Sequence, residues 1–484
     1  MSTTRQDRIL FLQVGRAVVR AGFGVAFIAA LLAPLLALSW QNQPFAGFMV
    51  DPMLVVADRI GENWPGQLAG MAFPQRVVRV GGYPITTAQD LTTAVTRFQV
   101  GERIPILTRT PAGVERLYPG IMLIRFSPGD MLSMFWLPYL IGAIYLGIGG
   151  WIYWLRGKTP AGQALAFFCI VTALTCMLLL DLVTTHQLTF LWSVTMAMVG
   201  SSLIGLAWSF PEEWSPTQIQ PWLAFIPYLF SIVLGLWTAI AESYESAPWA
   251  YRTALTFSYR YAAVGIAVFI GVMIYRIYRG RTLTVRRQAR LMIIGSALAF
   301  APIGVWLAAP LFDVNLVFDA MLYLPSLLFF PLSVAVAILR LRLWEVDTFI
   351  NRAFVYGVLT AILAGVFAAL SSISQKMFVA VTGERSDAAI IMTTLIIAAV
   401  FTPLRAQVQQ FVDRRFRGLP DDMRHLHTFG TQVESYVQMS DVVALTRQLL
   451  RETARALQAE SGVLSLVIDG QMHVIHTYGP WRNR

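Results

Sequence analysis

The sequence predicts a mainly α-helical, polytopic membrane protein with a small α/β domain between its first two spans and a short cytoplasmic tail. Of the 484 residues, 56% are hydrophobic and only 13% are charged, whereas a soluble globular protein carries about 25% charged residues. The same hydrophobicity excludes intrinsic disorder. Two cysteines are too few for a disulfide scaffold or a cysteine-based metal cluster.

About ten apolar stretches are long enough to cross the roughly 30 Å hydrocarbon core of a bilayer as helices. The eighth contains Pro325 and Pro331, which a spanning helix tolerates when neighbouring helices satisfy the freed carbonyls. A basic segment, residues 1–18, precedes the first span, which resembles an uncleaved signal-anchor more than a cleaved signal peptide. The predicted spans are residues 19–40, 132–155, 161–181, 188–210, 222–241, 253–277, 291–311, 318–340, 354–380 and 388–404, the last nine forming a bundle over 132–404.

Lysine and arginine in the short loops predict the direction of these spans. Basic residues crowd the start of the chain, the junction between the sixth and seventh spans and the segment after the tenth. The opposite loops carry little more than Arg252, Lys376 and Arg385. Both termini are therefore predicted to be cytoplasmic, and the net charge of +10 reports topology rather than a nucleic-acid partner.

Residues 45–120 have the texture of an independent α/β module. Arg76 begins a half-buried strand that ends at the hairpin dipeptide Gly81-Gly82. Behind a Thr cap, residues 87–97 have helical spacing, and two further strands follow near 104–109 and 113–117. The module is long enough to bury its own core.

This module resembles the bacterial PDZ pattern over residues 47–118. The resemblance rests on Pro-Gly-Gln-Leu-Ala-Gly at 65–70 and Val-Val-Arg-Val-Gly-Gly at 77–82, although Phe-Pro-Gln at 73–75 replaces the usual Gly-Asp pair. PDZ domains bind a peptide as an added strand and hold its terminal carboxylate in a nest of backbone N–H groups. The resemblance implies a nest at 47–50 and a pairing strand at 51–56; a spacer without a ligand is the alternative. The implied peptide-binding residues are Gly47, Phe48, Met49, Val50, Leu54 and Val56.

The tail after the tenth span is predicted to contain signalling or dimerisation helices over 405–460 and a β-hairpin over 461–484. The turn dipeptide Asp469-Gly470 predicts the hairpin. A helix followed by a hairpin resembles the opening of a GAF domain, which needs many more residues than this chain supplies. The stretch is therefore either a remnant or a segment that docks elsewhere.

The membrane part resembles the sensor region of the competence and quorum-sensing histidine kinases of bacteria. The strings that carry the resemblance lie at 343–357, 401–405 and 411–416, and an ordinary basic, aromatic helix end is the alternative interpretation. The resemblance implies a bacterial inner (cytoplasmic) membrane location and a route to a cytoplasmic kinase. The implied signalling residues are Trp344, Asp347, Asn351, Arg352, Tyr356, Asp413, Arg414, Arg415 and Phe416.

Signatures of catalysis are missing from the sequence, so we expect a protein that is not an enzyme and has no cofactor or metal. No phospho-accepting histidine box or ATP-binding box follows the spans, and none of the five histidines forms His-Glu-x-x-His. An intramembrane serine protease would need a histidine inside the bilayer, and no histidine of this sequence lies deep enough within a predicted span. Cys169 and Cys176 share a helix face, which indicates packing or, less simply, redox sensing.

Charged residues near the predicted spans could form a ligand site on the extracytoplasmic side. The candidates are Asp181, Arg260 and Asp319. The simpler interpretations are a snorkelling or structurally paired Arg260 and solvated helix caps at Asp181, His186 and Asp319.

These patterns predict a membrane sensor that binds an extracytoplasmic peptide or protein C-terminus and relays the signal to its cytoplasmic tail. One alternative is the input half of a two-component histidine kinase whose catalytic domains lie on another chain. A second alternative is a solute transporter. The expected partners are membrane lipid, the extracytoplasmic peptide, a cytoplasmic kinase or response protein and a second copy of this chain, without nucleic acid.

Overall fold

The computed structural model describes residues 2–57, 64–213, 220–242, 248–280, 282–308, 324–331, 333–334, 447, 450–451, 461–468 and 471–478. The chain forms two compact units, Met1–Ala399 and Val400–Arg484. The helices are α1 (Ser2–Gln41), α2 (Pro65–Leu68), α3 (Ala88–Val95), α4 (Pro128–Met131), α5 (Leu137–Arg156), α6 (Pro160–Met177), α7 (Thr189–Ser209), α8 (Ile226–Glu242), α9 (Pro248–Arg279) and α10 (Leu283–Ala308). The strands are β1 (Pro44–Phe45), β2 (Arg76–Val80), β3 (Tyr83–Pro84), β4 (Arg103–Arg109), β5 (Glu115–Met122), β6 (Ile124–Arg125), β7 (Gly462–Ile468) and β8 (Gln471–Tyr478).

Seven helices in the described part of the chain are long and apolar enough to cross a membrane. They coincide with the first seven predicted spans: α1, the continuous run from α4 through a π-helical turn (Leu132–Trp136) into α5, and each helix from α6 to α10. The eighth predicted span is described only in part, by a short 3₁₀ turn (Leu324–Leu328) and a few following residues. The ninth and tenth predicted spans lie outside the described residues.

The α/β module lies between α1 and α4. Its main sheet has four antiparallel strands in the order β3-β2-β4-β5. The Gly81-Gly82 hairpin joins β2 to β3, and both glycines have the positive φ that such a turn requires. Helix α3 covers the sheet, and apolar side chains from the sheet, α3 and the segment 46–56 form one buried core. Strands β1 and β6 pair with each other and close the module near both of its connections to the helices.

An aromatic cluster fastens these two connections. Trp40, near the end of α1, and Phe126, just before α4, have ring centroids 4.9 Å apart. Phe45 lies 4.8 Å from Trp64 in a perpendicular arrangement that aromatic rings favour. The Trp64 indole N–H also donates to the Asp130 carboxylate at 3.1 Å. The module is therefore held against the ends of two spanning helices by packing as well as by the chain itself.

Small residues and aromatic rings pack the spanning helices. Helices α7 and α9 cross where Gly200 meets Gly265, so closely that a Cβ on Gly265 would lie 2.6 Å from the Gly200 Cα atom. Elsewhere the Tyr145 hydroxyl donates to the Leu327 carbonyl at 2.8 Å, and the Tyr145 ring stacks on Phe330. Close glycine contact of this kind is typical of helix packing in membranes.

The second unit is described mainly through its hairpin. Strands β7 and β8 pair antiparallel from Gly462 opposite Tyr478 to Ile468 opposite Gln471. The hairpin predicted at the end of the chain is therefore present. The tail residues 405–460 lie outside the described part of the chain apart from 447 and 450–451.

Candidate functional site

A narrow groove separates the segment 45–50 from helix α3. The segment is shaped by Gly47, whose φ of +75° is readily available only to glycine. A Cβ at Gly47 would lie 2.5 Å from the Pro65 nitrogen, and one at Gly66 would lie 2.9 Å from the Ala46 carbonyl oxygen. The Gln67 N–H donates to the Gly47 carbonyl at 3.2 Å. Two glycines thus allow backbone contact between this segment and α2, which fixes the segment's shape.

The segment 45–50 lines one wall of the groove through Phe45, Ala46, Phe48, Met49 and Val50. Met49 and Asp51 turn toward the following segment, because Ala57 N–H donates to the Met49 carbonyl at 2.8 Å and Asp51 N–H donates to the Val55 carbonyl at 2.9 Å. Phe48 and Val50, which alternate with them, face away from that pairing. Within the described residues, no hydrogen bond uses the N–H of Gly47, Phe48, Met49 or Val50.

These unused donors are buried, which makes them chemically significant. Phe48, Met49 and Val50 are each no more than 5% exposed. A buried N–H without an acceptor costs about 1–3 kcal/mol, so buried backbone donors are nearly always paired. Those of Phe48 and Val50, on one side of the segment, can therefore donate to a carboxylate or to the carbonyls of an added strand.

The segment 51–56, predicted to pair with a peptide, has no free strand edge. The Asp51 carboxylate accepts from the N–H groups of Met53 and Val55, each at 3.0 Å, and folds the chain back in a tight turn. Val56 opposes Val50 on one side, and its N–H donates to the Gln75 carbonyl at 2.8 Å on the other. Leu54 and Val56 are fully buried in the core. Both edges of that segment are occupied, and the available edge belongs to 47–50.

Helix α3 forms the second wall of the groove. It begins at the predicted cap, where Thr87 and Asp90 form a reciprocal capping box. Hydrogen bonds from the Thr86 hydroxyl and from the N–H groups of Thr87 and Thr86 lower the pKa of Asp90 to about 2, so this helix start is charged. One face of α3 lines the groove at helical spacing, through Ala88, Leu91, Thr92 and Val95.

The third wall comes from the membrane helices. Val183, Thr184 and His186, in the turn between α6 and α7, line the groove together with Trp40 of α1. They leave a cavity of only about 50 Å³. His186 has a φ of +57°, in the left-handed region that histidine adopts more readily than most residues.

The hydrogen-bonding groups of the His186 ring are buried without suitable partners among the described residues. In that part of the chain neither of its nitrogens has a hydrogen-bond partner of normal geometry, and both nitrogens are buried. Burial lowers the pKa of His186 to about 4, although the backbone of Leu182 opposes the shift. The imidazole is therefore neutral at physiological pH and holds unused hydrogen-bonding capacity beside the groove.

Asp181 organises this turn instead of facing an open ligand site. Its carboxylate accepts from the N–H groups of Leu188 at 2.8 Å and Gln187 at 3.2 Å, and from the Thr185 hydroxyl. The His186 N–H donates to the Asp181 carbonyl at 3.0 Å. Burial raises the pKa of Asp181, and these hydrogen bonds oppose the rise.

The other two residues of the predicted charged site lie apart from this arrangement or outside the description. The Arg260 guanidinium lies 5.4 Å from the Phe257 ring centroid within α9. Asp319 is outside the described residues. The structure therefore does not bring the three predicted residues together in the part of the chain that it describes.

One ion pair joins the module to a spanning helix. The Arg252 Nε, in the first turns of α9, donates to the Asp51 carboxylate at 3.0 Å. The guanidinium also lies 4.7 Å above the Phe73 ring. Burial raises the pKa of Asp51, and the Arg252 charge is the largest opposing effect. Sequence reasoning missed this contact, although Phe73 belongs to the string that departs from the PDZ pattern.

Other predicted residues carry less information here. All nine residues of the predicted signalling motif lie outside the described part of the chain. Cys169 and Cys176 are free and buried in α6. Among the described residues, no group of three or more His, Cys, Asp or Glu side chains is placed to hold a metal ion.

The fold and the groove define the class of protein. This is a mainly helical membrane protein in which an α/β module shares a groove with the spanning helices. Comparison with protein-family models, curated proteins and solved structures finds no match to this chain. Any assignment of function therefore depends on the chemistry of the groove.

Proposed function

We propose that this protein is an integral membrane sensor that binds the C-terminus of a peptide or protein in the groove of a PDZ-like module. The observation that carries the proposal is the pair of buried N–H groups of Phe48 and Val50, which face away from the 55–57 segment and have no hydrogen-bond acceptor among the described residues. An extended peptide would add a strand along this edge and place its carboxylate on the same donors. Apolar side chains on both walls would hold its terminal side chain.

The contact between Asp51 and Arg252 provides a route for the signal. Asp51 directly follows the N–H groups of the groove, and Arg252 belongs to α9. Helix α9 has 32 residues and a length of about 48 Å. At its other end, Arg276 donates to the carbonyl of Phe210, which follows α7. A shift of the Asp51 turn on binding would therefore act on a helix that reaches across the bundle.

The orientation belongs to the same proposal. Arginines cluster at the end of α9 and the start of α10: Arg276, Arg279, Arg286, Arg287 and Arg290. By the positive-inside rule this junction is cytoplasmic, which places the module on the extracytoplasmic side of a bacterial inner membrane and both termini in the cytoplasm.

The test is a binding assay with the full-length protein in lipid nanodiscs on an array of peptides with random C-terminal sequences. Each peptide is present with a free carboxylate and as its C-terminal amide. We expect a subset of carboxylate peptides to bind and their amides to bind at least tenfold more weakly, a loss of about 1.4 kcal/mol.

Two variants of α3 provide the matched control. Ala88→Phe should fill the cavity and abolish binding, because residue 88 lines the groove. Gln89→Phe adds the same side chain one position along, where the helix is exposed, and should bind as the native protein does. Equal binding of carboxylates and amides, or normal binding by Ala88→Phe, would refute the proposal.

A further inference from the structure

The cavity has room for the group that ends a peptide strand. Its volume is about 50 Å³, and a single water needs roughly 10–15 Å³ of comparable space. A carboxylate and its immediate neighbours fill such a space. The group would then lie against both the segment 48–50 and His186, because both line the same cavity.

We propose that His186, in the turn between α6 and α7, is a specificity-determining residue that binds the ligand's carboxylate together with the N–H groups of Phe48 and Val50. The inference rests on the proposed function, since it concerns the same groove. The proposal requires a ligand that ends in a carboxylate on an apolar segment. It also requires that binding transfers one proton from solvent to the His186 imidazole.

The surroundings of His186 make this proton transfer favourable only when a ligand is present. Trp40, residues 43–50 and the α3 face contribute no titratable side chain to the described lining of the cavity. On its own turn, the Asp181 carboxylate is engaged by three donors, and its charge interacts with Glu242 at the end of α8. A ligand carboxylate would supply the missing negative charge directly against the ring.

The direction of the pH effect follows from linkage. In the free protein the pKa of His186 is about 4 because of burial, and a bound carboxylate would raise it. Affinity therefore increases as the pH falls through the raised pKa of the complex, and the increase ends near the pKa of the free protein. Uptake of one proton limits the gain to about tenfold per pH unit.

The experiment measures binding of a fluorescent peptide ending in Leu-Val with a free carboxylate, and of its amide, to the full-length protein in nanodiscs between about pH 7.5 and pH 5. If this probe binds below detection, the strongest carboxylate peptide from the random array replaces it. The native protein should bind the carboxylate several-fold more tightly at the lower pH. His186→Asn, which tolerates the same left-handed backbone but cannot be protonated, should bind it with little pH dependence. His186→Gly is the second variant, because glycine adopts a φ of +57° without strain.

The outcomes separate this inference from the proposed function. If both variants retain the pH dependence of the native protein, the inference about His186 is wrong while carboxylate binding in the groove stands. If no carboxylate peptide binds the native protein at any pH, the proposed function fails and the inference fails with it. Preserved amide-hydrogen exchange at residues 47–57 in both variants verifies that the groove is intact.

Discussion

Exchange of Asp51 for Asn and of Arg252 for Gln, singly and together, measures how strongly the module is linked to α9. Two unit charges about 4 Å apart interact by about 4 kcal/mol at an effective dielectric constant of roughly 20. The Asp51 side chain is only 7% exposed, but that of Arg252 is 29% exposed and keeps contact with solvent. We therefore expect a coupling energy of about 2 kcal/mol, half of the full value.

The assay is amide-hydrogen exchange of residues 50–57 in nanodiscs, where about 2 kcal/mol corresponds to a roughly 30-fold change in exchange rate. The control is the pair Arg109–Glu115, which is shorter at 2.7 Å but has side chains 53% and 45% exposed. That pair should couple by about 0.5 kcal/mol, as exposed ion pairs do. A coupling between Asp51 and Arg252 no larger than that of the control would refute the link.

Three further predictions concern local packing. Gly47→Ala should destabilise the module by about 2 kcal/mol more than Gly113→Ala. Both positions have positive φ, but of the two only Gly47 has no room for a Cβ. Amide exchange within the module measures the difference. Gly265→Ala should lower the melting temperature in nanodiscs by several degrees, whereas Gly271→Ala, whose Cβ would meet nothing within 4 Å, should not. Equal melting temperatures of the two variants would contradict close packing of α7 against α9. Asp181→Ala should raise amide exchange in residues 182–188 about tenfold, because three hydrogen bonds are lost; unchanged exchange would show that the carboxylate does not hold the turn.

Features that depend on neighbouring residues were accessible from the sequence. An apolar stretch long enough to span a bilayer predicts a helix from its own residues alone. The first seven predicted spans coincide with helices. The Thr87 cap and the Gly81-Gly82 turn work through hydrogen bonds and dihedral angles within a few residues, and both are present. Predicted strands were less exact, because the Asp51 turn folds the segment 51–56 back on itself.

Features that depend on distant residues were not accessible. Asp51 and Arg252 are 201 positions apart, and no local pattern pairs them. His186 was interpreted as part of a solvated helix cap, since a lone histidine at a helix end is ordinarily exposed. Its position in the groove depends on how α6 and α7 meet the module, which periodicity cannot reveal. Asp181, the other half of that interpretation, holds the turn before α7 through its hydrogen bonds and is buried.

The shared lining of the groove has a consequence for how such a protein evolves. Helix α3 and the turn 183–186 are distant in sequence, yet together they determine the size of one small cavity. A mutation that enlarges a side chain on one of them selects for a smaller one on the other, so these two segments should co-vary among descendants of this chain. For the same reason, the module could be transplanted to another membrane bundle only if the turn were inherited with it.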